Sequence, residues 1–422
     1  MTTDTHTTEA LTTDTLRGAA LRHGASSDFD AAKVDATTIE DLQAVGSDKW
    51  TRYEGCIGAF IAEMDFGLAP CVVDAIKEAS DHHRLGYIPD PWKKRVATSC
   101  ADWQKRYGWK VDPACIRPVP DVLEAFEIFL REIVRPGNSV IVPTPAYMPF
   151  LSVPQLYDVD LLEIPMLRKA SSEVTEGEWL FDFDAIERAF AKGCHAFVLC
   201  NPHNPIGKVL TREEMLRLSD LAQRYDVRIF SDEIHAPFAY GRNRHIPFAS
   251  ISSQTAMQAF TSTSASKSFN IPGTKCAQVI LTNPNDLELW MERAQWSEHQ
   301  TATIGAIATT SAYEGGASWF EGAFDYVRRN AALVNEEMGG RFSKVGYIRP
   351  EGTYIAWLDF SPLHLDAPAD YFLKKANVAL TDGRECGAVG AGCVRMNFAM
   401  PHPLLEECFD RMFTALHVDG LL

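Results

Sequence analysis

Residues 261–273 read TSTSASKSFNIPG and place Lys267 among small hydroxyl residues. The run before it, residues 257–261, is β-prone, and Pro272-Gly273 breaks the run after it. A lysine at the end of a buried strand is costly unless its pKa falls or its amine bonds covalently to a ligand. The stretch therefore indicates a Schiff-base lysine, with nearby serine hydroxyls that can bind a phosphate. A surface lysine in a serine-rich loop is the competing interpretation, and an SxSK tetrapeptide on its own would favour it.

The composition is that of a globular protein, with 422 residues of which 46% are hydrophobic and 23% charged. A chain of this length exceeds one ordinary core, so we expect two domains that share an interface. The 40 Lys and Arg residues against 56 Asp and Glu residues give a formal net charge of −16. This charge argues against nucleic acid as the main partner, and it does not favour an anionic membrane surface.

Cysteine usage and the first residues indicate a cytoplasmic protein. No apolar window approaches the length of a membrane span, and the Thr-rich, acidic start MTTDTHTTEALTTDT lacks the regions of a secretion signal. The ten cysteines are scattered without a CxxC pair, and the twelve histidines show no metal-ligand spacing. We therefore expect reduced thiols and no metal site.

From about residue 74, short apolar runs alternate with helical patterns. The runs span residues 140–142, 196–199, 227–230, 259–260 and 278–281. Short buried strands separated by helices predict an α/β domain with a mostly parallel sheet. One helix has a capping box, Thr211 with Glu214. A helix over residues 319–338 precedes strands at 353–358 and 393–398 and helices near 369–375 and 404–416. Together, this change of pattern and the polar start of the chain predict four segments. They are a disordered tail over 1–30, a segment over 31–70 that packs on the smaller domain, a large domain over 71–315 and a smaller domain over 316–422.

Polar side chains follow the predicted strands, where open α/β sheets bind ligands. Tyr147 lies in the proline-rich loop PTPAYMPF, Asn204 in NPHNPIG, and Asp232 in SDEIH. Each has an ordinary structural alternative: a core tyrosine, an Asn-Pro turn, and a helix cap or surface ion pair. Arg395, inside an apolar strand, needs a carboxylate, which either a ligand or an internal Asp or Glu could provide.

In this order, NPHNPIG (201–207), SDEIH (231–235) and SASKSFNIPG (264–273) resemble the fold-type I pyridoxal-phosphate (PLP) enzymes, the aminotransferase class I/II superfamily. The resemblance runs from about residue 60 to residue 412. It implies an aspartate-aminotransferase-like large PLP-binding domain with a mostly parallel central sheet. It also implies a smaller α/β C-terminal domain and a homodimer with composite active sites.

The resemblance implies a role for each residue of the motifs. Lys267 bonds to PLP, Asp232 pairs with the pyridine nitrogen, Asn204 contacts the phenolic oxygen, Tyr147 stacks on the ring, and Arg395 clamps the substrate α-carboxylate. Lys267, Tyr147 and Asp232 form the implied catalytic set, while Asn204 also borders the substrate. The remaining implied cofactor contacts are Ser264, Ser266, Val119, Pro120, Asp121, Val122, His235, Lys275 and Tyr87.

Three of these positions carry qualifications. Tyr87 matches a tyrosine that reaches the phosphate of the neighbouring subunit and borders the substrate. Asp121 departs from the usual glycine-rich phosphate turn, and an acidic residue there is unexpected unless it points away. Lys275 stands where many aminotransferases have arginine, so it should keep the charge pairing with phosphate but lose bidentate geometry.

Residues 62–66 (AEMDF), SDEIH and SKSFNIPG look most like the C–S β-lyase branch, the cystathionine β-lyase type. This likeness implies cleavage of L-cystathionine or a related cysteine S-conjugate to a thiol (homocysteine), pyruvate and ammonia. A PLP-dependent aminotransferase of an L-amino acid shares every cofactor residue and remains the alternative. A regulatory PLP-binding protein of the transcription-factor kind is disfavoured, because only about 30 polar, acidic residues precede the domain and nothing there could enter a DNA groove.

Overall fold

The structure, a computed structural model, describes residues 29–171 and 175–422. Its centre is a seven-stranded sheet. In spatial order the strands are β2 (Ile116–Val119), β10 (Ala277–Ile280), β9 (Ala259–Thr263), β8 (Arg228–Asp232), β7 (Ala196–Cys200), β3 (Ser139–Thr144) and β4 (Asp160–Pro165). β10 runs opposite to the other six strands, so its pairings with β2 and β9 are antiparallel and all other pairings in the sheet are parallel. All residues of β7 and β9 are buried, as expected for strands covered on both faces. The predicted mostly parallel α/β sheet is confirmed.

Helices cover both faces of this sheet. They are α4 (Pro70–Asp81), α5 (Asp90–Gln104), α6 (Val122–Ile128), α7 (Met148–Ser152), α8 (Phe183–Ala191), α9 (Arg212–Arg224), α10 (Ser253–Gln258), α11 (Pro284–Leu289), α12 (Trp296–His299) and α13 (Thr303–Gly315). Short π-helical segments, Phe129–Val134 and Trp290–Ala294, extend α6 and α11. The capping box predicted at the start of α9 is confirmed, because Thr211 Oγ1 accepts from the Glu214 amide at 3.1 Å and Glu214 Oε2 from the Thr211 amide at 2.9 Å. A hairpin of β5 (Leu167–Ala170) and β6 (Gly177–Leu180) lies apart from the central sheet.

The C-terminal region begins with the long helix α14 (Ala317–Gly339). An antiparallel sheet follows, with β11 (Gly346–Tyr347), β12 (Ile355–Asp359), β15 (Cys393–Asn397) and β14 (Thr381–Asp382) in spatial order. Helices α15 (Pro368–Ala376) and α16 (His402–Val418) accompany it. The predicted boundary at residues 315 and 316 falls where α13 ends and α14 begins, and the division into two domains stays a prediction.

The N-terminal segment packs against this C-terminal region. It contains α1 (Ala31–Asp35), α2 (Ile39–Val45), α3 (Asp48–Thr51) and β1 (Ile57–Gly58), and β1 pairs in parallel with β13 (Val378–Ala379). Residues 1–28 of the predicted disordered tail lie outside the described residues. Its last two residues are described: the Phe29 ring packs 5.6 Å from the Tyr326 ring and Asp30 caps α1, so the tail stays a prediction for the residues before them. Within residues 29–171 and 175–422, every helix is too short or too polar to cross a membrane.

Candidate active site

The loops that follow β3, β7, β8 and β9 meet at one edge of the central sheet and border a cavity of about 400 Å³. This size is typical of a small-molecule site. Of the sequence-predicted residues, the cavity is lined by Pro120, Asp121, Val122, Tyr147, Asn204, Asp232, His235, Ser264, Ser266, Lys267, Lys275 and Arg395. The ends of parallel strands therefore converge as the strand-end argument requires.

Lys267 follows β9 and reaches into the cavity, from which part of its side chain remains accessible. Its Nζ donates to the backbone oxygen of Ala62 at 2.9 Å, and no carboxylate among the described residues accepts a hydrogen bond from it. Burial of the amine, together with the positive charge of Arg395, lowers the pKa of Lys267 to about 8. A lysine with this pKa is largely neutral at mildly alkaline pH, so it can act as a nucleophile and as a base.

Asp232 ends β8 and is buried. Its Oδ1 accepts from the Ile234 amide at 3.1 Å, and its Oδ2 accepts from the Cys200 thiol at 3.7 Å. Burial, together with the negative charge of Glu233, raises the pKa of Asp232 to about 6, and the two neutral donors offset this rise only in part. A cation placed in the cavity beside Asp232 would stabilise the ionised form.

Arg395 projects from β15 and is buried. Its Nη2 donates to the Phe60 carbonyl at 2.7 Å, its Nη1 to Asn204 Oδ1 at 3.3 Å, and its Nε to Thr381 Oγ1 at 3.4 Å. Burial lowers the pKa of Arg395 from its ordinary value. None of the three acceptors is charged, so the internal Asp or Glu partner considered from the sequence is absent among the described residues. The guanidinium therefore remains available to an anionic ligand.

Tyr147, Asn204 and His235 form walls of the cavity. Tyr147 precedes α7 with its ring centroid 5.6 Å from that of Phe150, and Asn204 is buried beside Arg395. Burial and the positive charge of Lys267 hold the pKa of His235 well below its usual range, so the imidazole is neutral. The His235 Nδ1 is buried without a hydrogen-bond partner among the described residues, as expected of a group that contacts a ligand.

The start of α6 forms another part of the cavity wall. Asp121 is the N-cap, since its Oδ1 accepts from the Glu124 amide at 2.9 Å, and its Oδ2 accepts from Lys275 Nζ at 2.8 Å. Capping and ion pairing explain why an acidic residue occurs in this turn. The Ser264 hydroxyl donates to the Cys276 carbonyl at 3.0 Å and accepts from the Ser266 amide at 3.1 Å.

Two predicted residues do not line this cavity. Val119, the last residue of β2, has a fully buried side chain and is not among the residues that line the cavity, so its predicted contact with the cofactor stays a prediction. Tyr87 is 83% exposed and stacks on His299 with the ring centroids 4.7 Å apart. Its predicted contact with a neighbouring subunit stays a prediction.

Sequence reasoning missed several residues that line the cavity, some of them exposed and some buried. These are Arg52, Tyr53, Phe60, Leu380, Thr381 and Glu385. They come from the N-terminal segment and from the turn around β14, far from the strand ends in the sequence. The signal nearest to them in the sequence was the family likeness of residues 62–66, which begin two positions after Phe60.

This arrangement fits PLP bound together with an amino acid. An amine can bond to an aldehyde, a buried carboxylate can pair with a protonated ring nitrogen, and a buried guanidinium can pair with a carboxylate. Lys267, Asp232 and Arg395 provide these three groups in one cavity. In the described ranges, no group of three His, Cys, Asp or Glu residues could hold a metal ion.

Known proteins agree with this interpretation. A family model described as Aminotransferase class I and II matches residues 57–412. Cystathionine beta-lyase of Corynebacterium glutamicum is 32% identical over 383 residues, covering 90% of this chain and 99% of that protein. The structure of cystalysin from Treponema denticola, which contains a pyridoxal 5'-phosphate cofactor, is 26% identical with a TM-score of 0.84, covering 93% of this chain and 100% of that one. The PLP-bound C-S lyase from Staphylococcus hominis is 25% identical with a TM-score of 0.81, covering 90% and 98%. The chain belongs to the class I and II aminotransferase family.

Proposed function

We propose that this chain is a PLP-dependent C–S β-lyase that cleaves L-cystathionine or a related cysteine S-conjugate to a thiol, pyruvate and ammonia. One observation carries the proposal. Lys267, Asp232 and Arg395 face one cavity, and none of them forms an ion pair with a residue that the structure describes. Unpaired charges in such positions fit a ligand that brings the complementary groups. The relatives named as lyases favour thioether cleavage over amino-group transfer.

When bound, PLP supplies an electron sink for negative charge at the substrate Cα. Lys267 holds the cofactor covalently and, once released, removes the Cα proton, since a pKa of about 8 leaves much of its amine neutral near that pH. Asp232 keeps the proton on the ring nitrogen. The C–S bond then breaks with its electron pair on sulfur, the thiolate takes up a proton, and one water completes the release of pyruvate and ammonia.

The remaining side chains hold and orient the two ligands. Arg395 binds the α-carboxylate, and Asn204 offers its amide nitrogen to the phenolic oxygen because its Oδ1 already accepts from Arg395. Tyr147 stacks on the ring, and the neutral His235 offers its unpartnered Nδ1. The start of α6 would hold the phosphate through residues 120–122, with Ser264, Ser266 and Lys275 as further residues of the same cavity.

The site is completed by a second copy of this chain in a homodimer. Exposed Tyr87 supports this part of the proposal, since an aromatic ring that is 83% exposed can reach across an interface. All ten cysteines are free, which supports a cytoplasmic enzyme. Homocysteine, the thiol from cystathionine, would supply methionine biosynthesis.

A coupled assay tests the reaction. L-cystathionine is added to the holoenzyme, and lactate dehydrogenase reports pyruvate through the consumption of NADH, while ammonia and thiol are measured separately. We expect the three products in equal amounts, with Lys267→Ala inactive and the surface variant Lys105→Ala as its control, because Lys105 is exposed and lies outside the cavity. Exchange of amino groups between glutamate and a keto acid, without pyruvate from cystathionine, would refute the lyase and favour the aminotransferase.

A further inference from the structure

The cavity has a second pair of charged side chains at its mouth. Arg52 is the C-cap residue of α3, and Glu385 lies in the short 3-10 turn Gly383–Cys386 after β14. Both line the same cavity as Lys267 and Arg395, but neither has a role in the chemistry described above. The hydrogen bond with Asp48 is the main cause of the raised pKa of Arg52, and the negative charge of Glu385 contributes to it. The cavity wall therefore presents one positive and one negative group that are both exposed to solvent.

Phe60 links this charged pair to the catalytic end. Its carbonyl accepts from Arg395 Nη2 at 2.7 Å, and its ring centroid lies 5.1 Å from the Arg52 guanidinium carbon. The Tyr53 ring packs edge-on against the Phe60 ring with the centroids 5.2 Å apart. An aromatic surface therefore separates two guanidinium groups, one deep in the cavity and one at its mouth.

Arg52 is oriented for ligand binding. Asp48 accepts from its Nε at 3.1 Å and also from its Nη2, which fixes the plane of the guanidinium. Its remaining nitrogen, Nη1, has no acceptor within residues 29–171 and 175–422. Glu385 likewise forms no hydrogen bond with the described residues, so both groups can engage a polar ligand.

We propose that Arg52 and Glu385 bind the charged end of the leaving group, Arg52 its carboxylate and Glu385 its ammonium. The substrate class is then a cysteine thioether whose departing thiol is itself an amino acid, with the methylene groups and sulfur lying along Phe60 and Tyr53. This inference rests on the proposed lyase function and extends it to specificity. A thioether with an uncharged alkyl leaving group lacks both contacts and is a poorer substrate.

Three matched substrates separate the two contacts. S-ethyl-L-cysteine has an uncharged leaving group, S-(2-carboxyethyl)-L-cysteine adds only a carboxylate, and S-(2-aminoethyl)-L-cysteine adds only an ammonium. The measured quantity is kcat/KM for each charged substrate divided by kcat/KM for S-ethyl-L-cysteine, from pyruvate release by the holoenzyme. Normalising in this way removes any general loss of activity.

We expect Arg52→Gln to lower the ratio for the carboxyethyl substrate about five- to tenfold, the usual effect of one charge-assisted hydrogen bond near the surface. Glu385→Gln should lower the ratio for the aminoethyl substrate by a similar factor. L-cystathionine should lose activity in both variants, mainly through KM, because the contact is equally strong in the ground and transition states. The control is Arg328→Gln, an exposed arginine that pairs with Asp325 outside the cavity, and it should not move either ratio.

Ratios that stay unchanged in Arg52→Gln and Glu385→Gln would overturn the inference while leaving the lyase function intact. The inference also fails if each variant lowers both ratios equally, since the two charges would then not be recognised separately. If the wild type releases no pyruvate from L-cystathionine or from any of the three substrates, the lyase function itself is refuted and this inference falls with it.

Discussion

Replacing Arg395 with methionine should lower kcat/KM strongly without destabilising the protein. Arg395 is buried, and its acceptors are the Phe60 carbonyl, Asn204 Oδ1 and Thr381 Oγ1, all of them neutral. The Phe60 carbonyl also accepts from the Thr381 hydroxyl at 2.8 Å, so it keeps a donor when the arginine is gone. Methionine fills a similar volume with a flexible, apolar side chain.

The magnitudes of the two effects can be worked out separately. Exchange of buried charged groups for apolar ones is often neutral or stabilising by about 1–4 kcal/mol, because the desolvation cost is removed. The lost hydrogen-bonded charge pair with the substrate carboxylate costs about 2–5 kcal/mol of transition-state binding. At about 1.4 kcal/mol per factor of ten, kcat/KM should fall about 30- to 4,000-fold.

Lys49 is the matched control, since it is a buried cation that has a carboxylate partner. Its Nζ lies 2.7 Å from Asp65 Oδ2, and Trp50 Nε1 donates to Asp65 Oδ1 at 2.8 Å. Lys49→Met would leave Asp65 buried without its cation. The free energy of unfolding should therefore fall by about 3–5 kcal/mol.

Urea unfolding, followed by circular dichroism at one fixed protein concentration and without added substrate, measures the free energy of unfolding. Pyruvate release from L-cystathionine measures kcat/KM on the same preparations. The reasoning is refuted if Arg395→Met is destabilised as much as Lys49→Met, since Arg395 would then be a structural residue. It is also refuted if Arg395→Met keeps its kcat/KM.

Three further predictions follow from the cavity. The rate at which cofactor-free protein captures PLP, measured by absorbance, should rise with pH and level off above the Lys267 pKa of about 8. The reason is that only the neutral amine attacks an aldehyde. A rate that does not change from pH 6 to pH 10 would contradict this prediction. When the inactive variants Lys267→Ala and Tyr87→Ala are mixed, dissociated and reassociated, about a quarter of the wild-type activity should return. Half of the dimers are then mixed, and each mixed dimer has one intact site out of two. Mixed dimers without activity would exclude a composite site. Asp121→Asn should tighten PLP binding in equilibrium titration, because Asn also caps the helix while the charge on Lys275 is freed, and weaker binding at unchanged stability would contradict this.

The catalytic end of the cavity was predictable because one physical rule brings it together. In a parallel sheet, the residues that follow successive strands share an edge, so Asn204, Asp232 and Lys267 could be grouped from strand positions alone. Arg395 could be singled out because a guanidinium inside an apolar strand demands an explanation. The mostly parallel sheet could be predicted for a similar reason, since short, mostly apolar runs between helices fit few other architectures.

The rest depended on tertiary contacts that leave no local pattern. Asp121 and Lys275 are 154 positions apart in the sequence, and their ion pair explains why an acidic residue is tolerated beside the predicted phosphate site. Arg52 and Glu385 are exposed residues of ordinary type in short turns, where neither burial nor periodicity distinguishes a ligand contact from a solvated surface. The antiparallel direction of β10 was likewise not predictable, because an apolar run of four residues reads the same in either direction.

Residues 60–63 connect the two ends of the site through their backbone. The Ala62 carbonyl accepts from both Lys267 Nζ at 2.9 Å and the Tyr354 hydroxyl at 3.0 Å, and the Phe60 carbonyl accepts from Arg395. These neutral acceptors satisfy the two cations without neutralising their charge. A carboxylate adds a full negative charge that these carbonyls lack, so an anionic ligand can replace these contacts. The two cations can therefore be buried and still be available to a ligand. A buried cation that already has a carboxylate partner, such as Lys49 with Asp65, is not available in this way.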